Sequence, residues 1–382
     1  MRRVLFVFGT RPEAIKLAPV VVALEASAGF EPVVVVTAQH RHMLDQVLLL
    51  FGIAPKYDLD LLEPRQTLTG VTVRALERLA PVLEAERPDL VLVQGDTTTT
   101  FAGALAAFYK QIPVAHVEAG LRTYDPLSPY PEELNRRLTT QLAALHLAPT
   151  RTSRANLLAE RVDQASVVVT GNTVIDALLW TVAHPPRRAD PLLARLDADG
   201  RPVLLVTAHR RESWGRPMRA IGHALAEIAK AEPGLLVVFP IHRNPVVREA
   251  ILPAVDGLHN VVVTEPLDYG GFVRLLDRAH LVLTDSGGVQ EEGPSLGKPV
   301  LVMRDTTERP EAVAAGTVRL VGADRAAIVD AVRGLLHDPA AYRAMANATN
   351  PYGDGQAARR TVAAVAQFFG LGPRPDEFEP AA

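Results

Sequence analysis

Two α/β domains, each a parallel sheet with helices on both faces, form the fold class that this sequence predicts. Three observations carry that expectation. Short β-branched runs alternate with longer amphipathic stretches along the whole chain. The runs are apolar throughout rather than alternately polar, as expected of strands buried on both faces and therefore paired in parallel. Finally, 382 residues exceed one ordinary core, and a Pro-, Asp- and Arg-rich stretch separates two series of runs.

The first series comprises residues 4–8, 32–37, 90–94, 114–117 and 167–170. The second comprises 203–207, 235–240, 261–264, 281–284, 300–303 and 318–321. Helical periodicity fills the intervals, most clearly at 68–86, 218–231 and 325–336. The first domain is expected over 1–183, a linker over 184–202 and the second domain over 203–350. A last helix, 356–369, follows a Pro-Tyr-Gly-Asp-Gly break; segment 351–382 is expected to pack back on the first domain and to end in a loose tail.

Composition removes several function classes. Forty basic and 43 acidic residues give a net charge of −3 with no basic block, so neither nucleic acid nor a membrane surface is an expected partner. There is no cysteine, which excludes disulfides, thiolate nucleophiles and Cys-ligated metals and fits a cytoplasmic chain. No apolar run approaches the roughly 18 residues needed to span a bilayer. The opening MRRVLFVFGTRPEA reads as a first buried strand rather than a signal peptide, because its apolar run soon meets Arg11 and Glu13.

Unusual polar clusters follow the strand-like runs. FGTRPEAIK follows the first, TAQHRH the second and QGDTTTT the third; HVEAGLRT, TAHRRES, FPIHRNP, TDSGGVQEEG and MRDTTERPEA end later ones. Ligands of open α/β sheets sit beyond the carboxyl ends of strands, so the clusters predict a site in a cleft between the two domains.

TDSGGVQEEG makes two demands at once. Ser286, Gly287 and Gly288, between a strand and a helix start, offer backbone N–H groups to a phosphate. Glu292 lies six residues beyond Ser286, about 9 Å along a helix, where a carboxylate suits the hydroxyls of a ribose. Together they fit a nucleoside diphosphate; the plain alternative is a capped surface helix. No P-loop and no G-x-G-x-x-G occurs, which disfavours ATP hydrolysis and classical NAD binding.

Arg11 and Lys16, after the first strand, suit an anionic ligand. Asp96 and Glu118 end adjacent runs, and two carboxylates brought together there can do acid–base work. Glu132, after Pro131, either joins them or merely complements a helix dipole. His209, flanked by Arg210 and Arg211, is a candidate to hold a leaving phosphate or move a proton. His242 is a weaker candidate, and Arg309 adds a cation. His40 and His42 lack acidic neighbours, so no metal is expected, and no cofactor either.

Taken in order, GTRPEAIK, QHR-x-ML, QGDTTTT, HVEAGLRT, PEELNRR, TAHRRES, TDSGGVQEE and MRDTTERPEA resemble the non-hydrolysing UDP-N-acetylglucosamine 2-epimerases over nearly the whole chain. The resemblance implies two Rossmann-like domains facing across a deep cleft, the GT-B-like arrangement shared with one glycosyltransferase class. It implies reversible conversion of UDP-GlcNAc to UDP-ManNAc through loss of UDP to an unsaturated glucal and its return, feeding a cell-envelope polysaccharide. Carried over motif by motif, Asp96, Glu118 and Glu132 are the catalytic carboxylates with His209 beside them. Arg11, Lys16 and Arg309 contact the nucleotide sugar, Ser286, Gly287 and Gly288 hold phosphate, Glu292 the ribose, and Phe272 packs near the uracil. A homodimer is implied, with an activating second substrate site at Gln39, Arg65, Gln66, Arg210 and His242. His42 stands where some activated members carry Gln, which weakens the case for activation. Three alternatives share the phosphate site: a hydrolysing relative releasing UDP and free ManNAc, a glycosyltransferase of the same fold, and a non-catalytic nucleotide-sugar sensor.

Overall fold

The computed structural model describes every residue except 38–40, 64–65, 186–190 and 381–382, and the side chains of residues 41 and 42. It divides into two compact units, Met1–Leu179 with Tyr352–Glu379, and Trp180–Pro351 with the last residues.

The first unit runs β1 (Arg2–Phe8), α1 (Arg11–Glu25), β2 (Phe30–Val36), α2 (Arg41–Phe51), β3 (Tyr57–Asp58), α3 (Leu68–Glu86), β4 (Leu90–Gln94), α4 (Thr98–Tyr109), β5 (Val114–Val117), α5 (Glu132–Leu142), β6 (Leu145–Ala148), α6 (Arg151–Ala159), β7 (Val167–Val169) and α7 (Thr173–Ala183). The second runs α8 (Pro191–Asp199), β8 (Val203–Thr207), α9 (Arg216–Ala231), β9 (Leu236–Pro240), α10 (Pro245–Val255), β10 (Val261–Thr264), α11 (Tyr269–Arg278), β11 (Leu281–Thr284), α12 (Val289–Ser295), β12 (Val300–Val302), α13 (Pro310–Ala314), β13 (Val318–Leu320), α14 (Arg325–His337) and α15 (Pro339–Ala346). The chain then returns to the first unit through α16 (Ala357–Phe368).

Both sheets are parallel and wound alike. The first orders its strands β3-β2-β1-β4-β5-β6-β7, the second β10-β9-β8-β11-β12-β13. In each, the chain builds outward on one side, then crosses to start the other side. The crossing leaves a switch point, between β1 and β4 and between β8 and β11, where two loops diverge and leave room for a ligand.

The buried strands explain themselves. All five residues of LVLVQ in β4 are buried, and VLLV in β8 likewise. In the first unit Leu5, Val7, Val33 and Val35 pack with Ala75, Leu79, Ala102 and Ala104 of the covering helices. In the second, Leu204, Val206 and Phe239 pack on Ile221, Leu225, Ile328 and Val332. Each fully buried Val or Leu contributes about 1.5–3 kcal/mol. Short polar side chains start the helices: Thr97 Oγ1 accepts from Thr100 N–H, and Asp268 and Asp324 do the same for α11 and α14. Among the described residues no helix is long and apolar enough to cross a membrane.

Three readings needed correction. Strands β3 and β6 have too few residues to stand out; β6, LHLA, follows helix α5 almost without a break. Within the stretch read as a linker, α8 buries Leu193 and Leu196 in the second unit, both obscured in the sequence by charged neighbours. The tail is not loose. Phe378 is buried, its N–H donates to Val169 O (2.8 Å), and Arg154 pairs with Glu377. Asp176 of α7 accepts the first N–H groups of α16, from Ala357 (3.1 Å) and Ala358 (2.8 Å).

Candidate active site

At the switch point of the first unit, Glu13 joins the loops after β1 and β4. Its Oε2 accepts the N–H groups of Gly9 (3.0 Å) and Thr10 (2.7 Å), and its Oε1 accepts the Thr97 hydroxyl (2.6 Å) and lies 3.2 Å from that of Thr100. All four partners are neutral, and burial pushes the Glu13 carboxyl above its usual range. Arg11 opens α1 half-buried, with no partner among the described residues.

Lys16, one turn further along α1, meets Glu118 at the end of β5. Its Nζ donates to both carboxylate oxygens, with Oε2 at 2.7 Å. Gln94 Nε2 donates to Oε2 and Asn172 Nδ2 to Oε1 (3.0 Å). The side chains of the Lys16–Glu118 pair keep only 15% and 6% of their surface accessible, so a broken pair would strand a buried charge. Glu118 has φ +63°, a left-handed conformation unusual for a side-chain-bearing residue and a frequent mark of a functional position.

Asp96 is close enough to feel Glu118 and Lys16. Burial raises its carboxyl above the usual range; Arg136 opposes that rise, and the negative charge of Glu118 reinforces it. Arg136 grips Asp96 Oδ2 through Nη2 (2.6 Å) and Nε (3.1 Å), and Asn135 Nδ2 holds the Asp96 carbonyl (3.0 Å). Glu132 begins α5, four residues before Arg136 and so on the same helix face. It is half-buried with no hydrogen bond or ion pair among the described residues. Its neighbour Glu133 takes the structural part, fully buried and accepting from Thr123 N–H (3.0 Å), Tyr124 N–H (3.1 Å) and Arg136 (3.1 Å).

In the second unit the corresponding clamp is Asp285. It is fully buried, and its Oδ2 accepts the N–H groups of His209 (2.7 Å) and Arg210 (2.8 Å) from the loop after β8. His209 Nδ1 lies 2.9 Å from Oδ1, and the imidazole remains 39% exposed. Burial works to raise the Asp285 carboxyl, but the His209 imidazole and the two N–H groups hold it below its usual range.

The helix after Ser-Gly-Gly begins at Val289 with Gly288 as N-cap, later than the sequence suggested, so a rise measured from Ser286 does not apply. Ser286 N–H bonds Thr284 Oγ1 (2.9 Å), while among the described residues no acceptor faces the N–H groups of Gly287 and Gly288. A side chain at Gly287 would meet Arg309 Nη1 at 2.5 Å, so the guanidinium passes over this bare backbone. The paired glutamates divide their work. Glu291 accepts from Arg309 Nε, and Glu292, one turn into α12, receives the Tyr269 hydroxyl (3.2 Å). Phe272 lies three residues after Tyr269 on the same face of α11, half-buried.

Glu308 ties the cations together, accepting from Arg210 (3.1 Å), Arg304 (2.7 Å) and Arg309 (2.9 Å). Burial would raise it; the charges of Arg309 and Arg304 hold it down to about 2. His242 stacks on His209 with ring centres 6.0 Å apart. Burial and the nearby His209 lower its pKa. Gln66 accepts from Arg74 Nη2 (3.2 Å) in the first unit. Gln39, His40 and Arg65 lie outside the described residues, as does the side chain of His42.

The residues that sequence reasoning missed are those that hold the others: Glu13, Gln94, Arg136, Asn172, Tyr269, Asp285 and Glu308. Five of them, Glu13, Gln94, Arg136, Asp285 and Glu308, sit inside the motifs already singled out, and their signal was a charged or amide residue within such a motif.

Comparison with known proteins identifies the family. A family model described as UDP-N-acetylglucosamine 2-epimerase matches residues 22–366. The UDP-N-acetylglucosamine 2-epimerase of Escherichia coli K12 is 57% identical over 369 residues, covering 95% of this chain and 98% of its own. Among solved structures, a putative UDP-N-acetylglucosamine 2-epimerase from Listeria monocytogenes superposes with a TM-score of 0.92 at 47% identity, covering 99% of both chains. The UDP-GlcNAc 2-epimerase of Neisseria meningitidis, bound to UDP-GlcNAc, gives 0.88 at 50% identity, covering 96% of this chain and all of the other. With two parallel sheets wound as in those two-domain GT-B-like structures, the chain belongs to the UDP-N-acetylglucosamine 2-epimerase family.

Proposed function

We propose that this chain interconverts UDP-GlcNAc and UDP-ManNAc at C2 without releasing free sugar, acting in the cytoplasm as a homodimer. The observation that carries the reading is the pairing on one chain of two unlike switch points. One collects carboxylates held by Lys16 and Arg136; the other collects bare backbone N–H groups and arginines beside a buried acidic residue. A nucleotide sugar needs both.

The proposed chemistry follows from that division. The N–H groups of Gly287 and Gly288, with Ser286, Arg309 and Arg11, receive the diphosphate. Glu292 accepts the ribose hydroxyls and Phe272 stacks by the uracil. The C1–O bond breaks and UDP leaves with its electron pair, while a carboxylate takes the C2 proton and a C1=C2 double bond forms. Return of UDP to C1, with a proton delivered to the other face of C2, gives the epimer, so atoms and charge balance without a redox cofactor. Burial raises the Asp96 carboxyl, and Glu118 accepts from Lys16, Gln94 and Asn172, so the two carboxylates stand in unlike surroundings suited to acid–base work. Acid–base work of this kind contributes about 10²–10⁴-fold. His209, whose Nδ1 lies against Asp285, is assigned to the leaving phosphate. Exposed Phe108, Leu134 and Leu138 on α4 and α5 support self-association.

The test is NMR of the purified protein with UDP-GlcNAc in D2O. UDP-ManNAc carrying deuterium at C2, with no lasting free ManNAc, is the expected result. Free ManNAc with UDP would instead establish a hydrolysing enzyme, and unchanged substrate would leave a transferase or sensor.

A further inference from the structure

Asn172 does two jobs with one amide. It stands just ahead of α7, and its Oδ1 accepts Val174 N–H (3.2 Å), the bond of a helix N-cap. Its Nδ2 donates to Glu118 Oε1 (3.0 Å). Because one end must accept and the other must donate, the amide has a single sensible orientation. The side chain is 3% exposed, so neither bond is shared with bulk water. Its backbone is fixed as well: Asn172 N–H donates to Tyr352 O (2.6 Å), at the point where the chain re-enters the first unit.

Gln94 supplies the matching amide from the other side. It is 2% exposed, its Nε2 donates to Glu118 Oε2, and its carbonyl is held by the Thr100 hydroxyl (2.6 Å). Each Glu118 oxygen therefore receives one buried amide donor besides Lys16, and each of these donors bonds the charged form.

We propose that Asn172, with Gln94, is a positioning residue for the reaction: it fixes the Glu118 carboxylate ionised and in one orientation, and anchors it to the returning C-terminal segment. This rests on the epimerase reading above. Asn172 touches no reacting atom; it acts through Glu118.

Asn172→Asp separates this role from plain structure. Aspartate caps a helix as well as asparagine does, so α7 keeps its start. It cannot donate to Glu118 and places a like charge beside it. Expected are a thermal midpoint lowered by the buried like charge, a KM within about threefold and a kcat down by about 100-fold. The pH-rate limb set by Glu118 moves to higher pH, as identified by its disappearance in Glu118→Gln. Asn172→Ser, which restores a donor without charge, recovers part of the rate. Glu118 titration is also followed by carbon NMR of glutamate-labelled protein, with Glu118→Gln marking the resonance. An upward shift in Asn172→Asp supports the role whether or not the wild type turns over UDP-GlcNAc; a wild type inactive on that substrate overturns only the epimerase reading. An unmoved titration or an unchanged kcat and pH profile overturns the positioning role.

Discussion

The two sheets solve one structural problem in opposite electrical ways. At each switch point a buried carboxylate ties diverging loops by accepting two backbone N–H groups: Glu13 in the first unit, Asp285 in the second. Glu13 fills its remaining acceptor sites with neutral threonine hydroxyls, and burial raises its carboxyl. Asp285 faces an imidazole and is held below the usual range. Around them the first unit gathers carboxylates and the second gathers cations and free backbone N–H groups. Topology thus fixes where a site forms, and a few side chains decide whether it offers a proton acceptor or an anion cradle.

The histidines show the same contrast. His116 and His146 stand opposite each other on β5 and β6, buried among the strands of the first unit. Burial above all drives them down, to about 3 and about 4. They are neutral in the fold and protonate in the unfolded chain below its ordinary value near 6.5. The stability they contribute is therefore complete above about pH 6.5 and is lost as pH falls toward those depressed values. Two such groups can add up to about 2.7 kcal/mol per pH unit to the acid slope. Chemical denaturation of the wild type and of His116→Gln/His146→Gln between pH 7 and 4.5 measures this. The double variant should lose much of the slope; an identical slope would show that the pair is not buried neutral.

A smaller effect distinguishes the two clamps. A carboxyl with a raised pKa tolerates an amide in its place, since the threonine hydroxyls can turn and accept. Glu13→Gln should cost less than about 1 kcal/mol. A carboxyl held low depends on its charge, so Asp285→Asn should cost about 2 kcal/mol. Denaturant midpoints for the two variants decide the matter, and equal losses would remove the contrast.

Much of the fold was legible, because parallel strands buried on both faces write long apolar runs. Two-residue β3 and four-residue β6 lack the length to do so, and only Ala143 and Ala144 separate β6 from the end of α5. Residues at the site were legible by type, since strand-end motifs carry charge. Their division was not. Nothing in PEELNRR says that Glu133 is sealed by two backbone N–H groups while Glu132 stays open, and nothing in QEEG says that Glu291 is spent on Arg309. Those outcomes depend on loops that fold over from distant parts of the sequence. The role of Asp285 was hidden for the same reason, being the clamp on residues 76 and 75 positions away.

The division of labour between the two units is most directly tested by calorimetric titration of UDP into the wild type, Glu118→Gln and Arg309→Met. UDP lacks the N-acetylhexosamine, so removing a first-unit carboxylate should leave its affinity within about threefold, while losing the guanidinium proposed to contact phosphate should weaken binding by about 100-fold, or roughly 2.7 kcal/mol. A hundredfold loss in Glu118→Gln with Arg309→Met unaffected would contradict the assignment of nucleotide binding to the second unit.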